Sequence, residues 1–302
     1  MLKNIFITFI FITSMTISVN AQKTLKFYEI YRQANELKSN GEYKKAEKKY
    51  NQALSIGAKE PYFYVDVISL KLYQKKDKEA KRLLQDGVLT GTSMDQLSHD
   101  SLIVRKFKSD PTWNKLYDVY RQKYSSSIPF QEEKLRLMVL IEKDQAVRNL
   151  MQYFEKSKRD SIIHAQDIQD SKEMYEIVKK IGFPDREKVG QDATAAMYTL
   201  LLHLLNDGVK DKEELAYFEP MIRASVLKGA FVPFWMGILV DRNNVLSGLK
   251  QTYGCYWEMN EKGQRVITPI ENIKEVDQRR EAIGLSKLIY SKKNGLVLPA
   301  DY

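Results

Sequence analysis

The sequence predicts a mainly α protein: a helical-repeat N-terminal module followed by an α-helical C-terminal domain with a small β-hairpin. Three observations predict it. Within residues 24–90, a shift of 34 residues lays large side chains on large ones and small on small. From Phe130 onward, apolar residues recur at three- and four-residue steps through five successive segments. Strand-like character is confined to a short stretch around Tyr256–Thr268. With 43% hydrophobic and 29% charged residues, the chain is neither disordered nor collagen-like. Its 302 residues suggest two domains, at roughly 150 residues each.

The first element is a leader. Met1-Leu2-Lys3-Asn4 carries one positive charge, Ile5 to Val19 is apolar and uncharged, and Val19-Asn20-Ala21 precedes Gln22 as a cleavage site. This three-part pattern predicts a signal peptide over residues 1–21. The apolar stretch of 15 residues is shorter than the ~20 that a membrane span needs. The expectation is an exported protein, periplasmic or secreted, with no transmembrane segment after cleavage. A single cysteine, Cys255, fits an oxidising compartment and excludes both an internal disulfide framework and a four-Cys metal site.

Residues 22–124 form the next unit. The shift of 34 aligns Tyr28 with Tyr62, Ala34 with Ile68, Ala46 with Ala80, Tyr50 with Leu84, and Ala53 with Gly87. Two helices that cross closely need this pairing, because a small side chain on one admits an aromatic from the other. Gly41-Glu42-Tyr43-Lys44-Lys45-Ala46, followed by Tyr50, Ala53 and Leu54, resembles a tetratricopeptide repeat. In that family the glycine starts the turn between paired helices. The second copy has Lys75 in place of the turn glycine. Pro111-Thr112-Trp113 with Leu116, Val119 and Tyr120 reads as a closing helix. The resemblance implies either a groove for a protein or peptide partner or an adaptor that packs on its own chain.

Charge is distributed unevenly. Of the net +9, residues 22–124 hold 21 Lys+Arg against 13 Asp+Glu, whereas residues 125–302 hold 26 of each. Lys44, Lys45, Lys48 and Lys49 recur at helical spacing, and this face either attracts an acidic partner or is simply solvated. No nucleic-acid reading motif is present.

Ser125-Ser126-Ser127-Ile128-Pro129 reads as a linker over 125–130. The domain over 131–302 follows. Helices are expected over Phe130–Lys156 (with Leu135, Met138 and Val139 on its apolar side), Ile162–Ile181, Ala193–Leu205, Lys212–Lys228, Phe234–Leu246 and Val276–Ile283. A hairpin is expected at Tyr256–Met259 and Gln264–Thr268.

The ordered set Asp144-Gln145-x-x-Arg148, Gly182-Phe183-Pro184, Val189-Gly190, His203, Asp241-Arg242 and Gln251-x-Tyr253-Gly254 resembles a bacterial domain family with no assigned function. Leu202 and Leu204 flank His203 where that family has Gln and Ala, and Cys255 stands where it has Thr. Candidate catalytic residues are His203, Asp144 and Asp241; candidate binding residues are Arg148, Arg242, Gln145, Gln251 and Tyr253. His203 is either an acid–base group or a hydrogen-bonded core histidine. Asp144 and Arg148, at i and i+4, share a helix face and either pair at the surface or hold an anionic group. Asp241 and Arg242 are adjacent, so on a helix they diverge by about 100°. The sequence shows no metal cluster, no cofactor motif and no G-x-S-x-G elbow. The expectation is a protein-interaction or ligand-binding protein, or alternatively a hydrolase with a His/Asp/Arg site.

Overall fold

The computed structural model describes the backbone of residues 2–57, 60–205 and 211–302, with the side chains of these except 2–18, 211–214 and 293–294. Most of the expected leader therefore lies outside the residues whose side chains are described. Among the described residues there are thirteen α-helices and three short strands, so the protein is mainly α. No helix among them is long and apolar enough to cross a membrane.

The N-terminal part begins with α1 (Leu2–Ser39), α2 (Tyr43–Ile56), α3 (Pro61–Tyr73) and α4 (Asp77–Thr90). The bounds of α2 and α4 are offset by 34 residues at both ends. Each ends on a left-handed glycine, Gly57 at φ 91° and Gly91 at φ 109°, again 34 apart. A residue with a Cβ is disfavoured there, which is why glycine closes both helices. Ala34, Ala46, Ala53, Tyr50 and Phe63 are fully buried, with the Tyr50 and Phe63 ring centroids 5.8 Å apart, edge to face. Small residues thus admit aromatics at the helix crossings.

Three further helices close this core: α5 (Met94–Ser98), α6 (Ser101–Ser109) and α7 (Thr112–Ser127). Trp113 seals it against Phe107. Helix α7 runs through Ser125–Ser127, so these serines form its last turn, and the chain breaks only at Ile128-Pro129-Phe130. The Ser126 and Ser127 hydroxyls donate to the carbonyls of Gln122 and Tyr124. Serine in a last helical turn satisfies itself this way, and so need not signal a linker.

The second core is built by α8 (Gln131–Met151), α9 (Lys156–Ile181), α10 (Arg186–Leu204), α11 (Asp211–Leu227) and α12 (Pro233–Leu246). Gly190 interrupts α10 at φ 81°, ψ 166°. Helix α8 corrects the expected apolar side. Leu135 and Val139 are exposed, whereas Leu137, Leu140 and Asp144 face inward. A third, smaller core forms around a sheet in which β1 (Trp257–Met259) pairs antiparallel with β2 (Arg265–Ile267). The expected hairpin carries an additional strand, β3 (Leu296–Val297), parallel to β2. Between them lies α13 (Val276–Glu281).

The two larger cores are tied by specific polar contacts. Tyr124 accepts from the backbone N–H of Gln191 at 2.8 Å, Arg121 pairs with Asp192, and Arg32 donates to the Gly284 carbonyl at 2.9 Å. At the same boundary Tyr28 donates to the buried Glu60 at 3.2 Å, and Arg186 lies 3.9 Å from that carboxylate.

Candidate functional site

Helix α8 places Asp144 and Arg148 one turn apart on the face that meets α9. Arg148 Nε donates to Asp144 Oδ1 at 2.8 Å, and its Nη2 donates to Asp167 on α9. The end of α10 brings in His203, whose Nδ1 lies 2.9 Å from Asp144 Oδ2. Gln145 donates to the same oxygen at 2.8 Å. Asp170, one turn beyond Asp167, accepts from Gln166 at 2.7 Å through Oδ1. Five charged or titratable side chains from three helices therefore meet at one point.

Asp144 is 1% exposed, so its pairing with Arg148 is a buried one and not a surface one. The His203 and Arg148 side chains are about a fifth exposed, so the cluster touches solvent on their side. The three carboxyls differ in their proton affinity. Burial pulls Asp144 upward, but the contacts from His203 and Arg148 outweigh it and hold the carboxyl below its ordinary range. At Asp167 burial wins: despite Arg148, its carboxyl is pushed up to about 6, with the charge of Asp144 adding to the rise. Burial also raises Asp170, against the hydrogen bond from Gln166.

The remaining candidates do not join this cluster. Asp241, fully buried on α12, accepts from the backbone N–H groups of Thr252 and Tyr253 through Oδ1 and of Cys255 through Oδ2. It is an anchor for the loop after α12. Gln251 is likewise fully buried; it accepts from Tyr256 N–H and donates to the Tyr256 and Thr268 carbonyls. Tyr253 accepts from Arg223 at 3.0 Å in the core. Asp241 and Gln251 thus satisfy loop backbone groups, and the Tyr253 hydroxyl meets Arg223 of α11. Arg242 diverges from Asp241 as adjacency on a helix requires. It donates to the carbonyls of Leu202 and Leu205 at 2.6 and 2.8 Å, holding the end of α10 that carries His203. Cys255 is buried, and desolvation pushes its thiol up to about 12.

Asp167 and Asp170 were not apparent from the sequence. The available signal was their i, i+3 spacing on a helix that follows Asp144-x-x-x-Arg148 after one turn, which places two more carboxylates opposite the pair. A cavity of about 1020 Å³ lies between α1 and residues 281–290 and contains none of the candidate residues. No family model, curated protein or solved structure matches the chain.

Proposed function

We propose that the chain carries a hydrolase-type acid–base site, with His203 as the proton-transfer group and Asp144 as the carboxylate that orients it. The observation that carries this reading is the 2.9 Å contact of His203 Nδ1 with Asp144 Oδ2, the other oxygen being held by Arg148. A carboxylate beside Nδ1 orients the ring and leaves Nε2 as the atom that takes a proton from water. Arg148 offers a planar, partly exposed cation for an anionic oxygen of a substrate. A scaffold gains little from burying such charges, because desolvation offsets most of their attraction. Arg242 supports the site by fixing the last carbonyls of α10.

Hydrolysis of p-nitrophenyl acetate, p-nitrophenyl phosphate and bis-p-nitrophenyl phosphate by the full chain tests the reading. His203→Gln is expected to lower kcat by about 100-fold or more, the scale of a lost general acid–base, in protein that far-UV circular dichroism shows to be folded. Absence of turnover across the three esters, or turnover that His203→Gln leaves intact, refutes it.

A second reading has its own support. A cavity of about 480 Å³ in the N-terminal module is lined by Asn35, Lys38, Tyr43, Asp66, Tyr73 and Leu102, from α1, α2, α3 and α6. This concavity suits a protein or peptide partner of an exported, tetratricopeptide-like module. Lys44, Lys45 and Lys48 are exposed and Lys49 half-buried on α2, outside the lining of this cavity, and that separate face suits an acidic partner, although Lys45 already pairs with Glu42.

A further inference from the structure

The Asp144, Asp167 and Asp170 carboxylates hold more charge than their neighbours neutralise. One oxygen from each lies within 4.8 Å of the others, and all three residues are buried. Arg148 spans Asp144 and Asp167 only. Among the described residues Asp170 has no ion pair: its Oδ1 accepts from Gln166, while its Oδ2 is buried and has no hydrogen-bond partner. Asp170 is 97% removed from solvent, at 3% exposure, so water does not satisfy that oxygen from outside. A buried carboxylate oxygen without a donor is costly and marks a missing partner.

We propose that Asp144, Asp167 and Asp170 bind a single hard divalent cation of the Ca²⁺, Mn²⁺ or Mg²⁺ class. The donor set is all oxygen, the chemistry these ions prefer over softer metals. The spacing fits as well. Two oxygens on opposite sides of one ion are separated by twice the metal–oxygen distance, about 4.2 Å for Mg²⁺ and up to about 5 Å for Ca²⁺. The three oxygens, all within 4.8 Å of one another, are close enough to share one such ion. Charge closes too: three carboxylates and one guanidinium leave two negative charges, which one divalent ion cancels. Asp170 Oδ2 supplies the unshared ligand. Asp144 and Asp167 each keep one bond to Arg148, so the guanidinium bridges two ligand carboxylates from outside the ion. Binding goes beyond the acid–base reading and does not depend on it, since the ion is held whether or not a substrate is turned over.

Isothermal titration of chelator-treated full chain with Ca²⁺, Mn²⁺ and Mg²⁺ at pH 7.5, with thermal melting in parallel, tests this. One site per chain is expected for at least one ion, together with an ion-dependent rise in melting temperature. Asp170→Asn, which keeps shape and removes charge, is expected to weaken binding at least tenfold. It should also raise the melting temperature of the chelated protein, since it relieves repulsion in the trio. Asp167→Asn carries the same loss of affinity should Asp170→Asn not fold. Asp160→Asn, exposed at the start of α9, leaves binding unchanged. Absence of binding up to millimolar ion, or one-site binding that Asp170→Asn and Asp167→Asn both leave intact, overturns the proposal. Binding without hydrolysis refutes only the acid–base reading; hydrolysis without binding refutes only the cation.

Discussion

Asp241 gives a prediction whose sign separates two physical causes. Its carboxyl is buried, which favours the neutral form, yet it accepts three backbone N–H groups, which favour the charged form. Burial wins, and the carboxyl is pushed up to about 6, against 3.8 in an unfolded chain. Between these values the folded state holds a proton that the unfolded state has lost. Stability therefore falls as pH rises through this window, and levels off above about pH 6. Asp241→Asn removes the titration. It also places an amide N–H against at least one of the three backbone donors, a cost of about 1–3 kcal/mol. The variant should be clearly less stable than the parent at pH 4.5. From pH 4.5 to 7.5 the parent loses its advantage over about 1.5 pH units, or about 2 kcal/mol, so the two should draw together. Urea unfolding at both pH values, followed by far-UV circular dichroism, measures the gap. A gap that widens with pH would mean that the three N–H bonds outweigh burial, and the assigned direction would be wrong.

Two further outcomes follow from the same kind of accounting. Tyr124→Phe removes the acceptor from the buried Gln191 N–H at the junction of the two cores, and should cost about 1–3 kcal/mol in urea unfolding; a loss near zero would show that another acceptor reaches that N–H. Cys255, buried and with its thiol raised to about 12, should not react with Ellman's reagent in the folded protein at pH 8, yet give one thiol per chain in denaturant. Prompt reaction in the folded state would place the thiol at the surface.

The helical hairpins were legible because their information is local. Spacing of small and large residues specifies helix crossings, and the same 34-residue offset recurs in the bounds of α2 and α4 and in their closing glycines. Even Lys75, which stands where the first hairpin has Gly41, adopts the left-handed conformation, at φ 59° against 79°. The backbone requirement persisted where the residue did not, so composition at that turn understated the likeness. Helix α8 was misread for the opposite reason. Its apolar residues occur on two sides, and the side that packs inward carries Asp144, a residue that periodicity assigns to solvent. Pairing with Arg148, encoded at i, i+4 within α8, and the approach of His203 from α10 make that burial tolerable, while the α9 carboxylates oppose it; the meetings with α9 and α10 are not encoded within α8. Strand β3 was missed because two residues form no period.

The ordered motif set divides along the same line. Asp241, Gln251 and Tyr253 look like site residues because they are polar in apolar surroundings. In the fold, Asp241 and Gln251 supply partners to loop carbonyls and N–H groups away from water, and Tyr253 pairs with Arg223. Asp144, Arg148 and His203 share the composition but meet one another across two helices, with Arg148 reaching Asp167 on a third, which leaves charge unbalanced at Asp170. Arg242 connects the two sets. Its neighbour Asp241 pins the loop after α12 while Arg242 grips the carbonyls at 202 and 205, so the loop anchor and the end of α10 are both held from a single turn of α12. Helix α10 also packs directly against α8, so that pairing places His203 on Asp144 while Arg242 fixes the last carbonyls of α10. The 2.9 Å contact on which the acid–base reading rests is therefore set by the packing of α10 against α8, with the grip of Arg242 from α12 added to it.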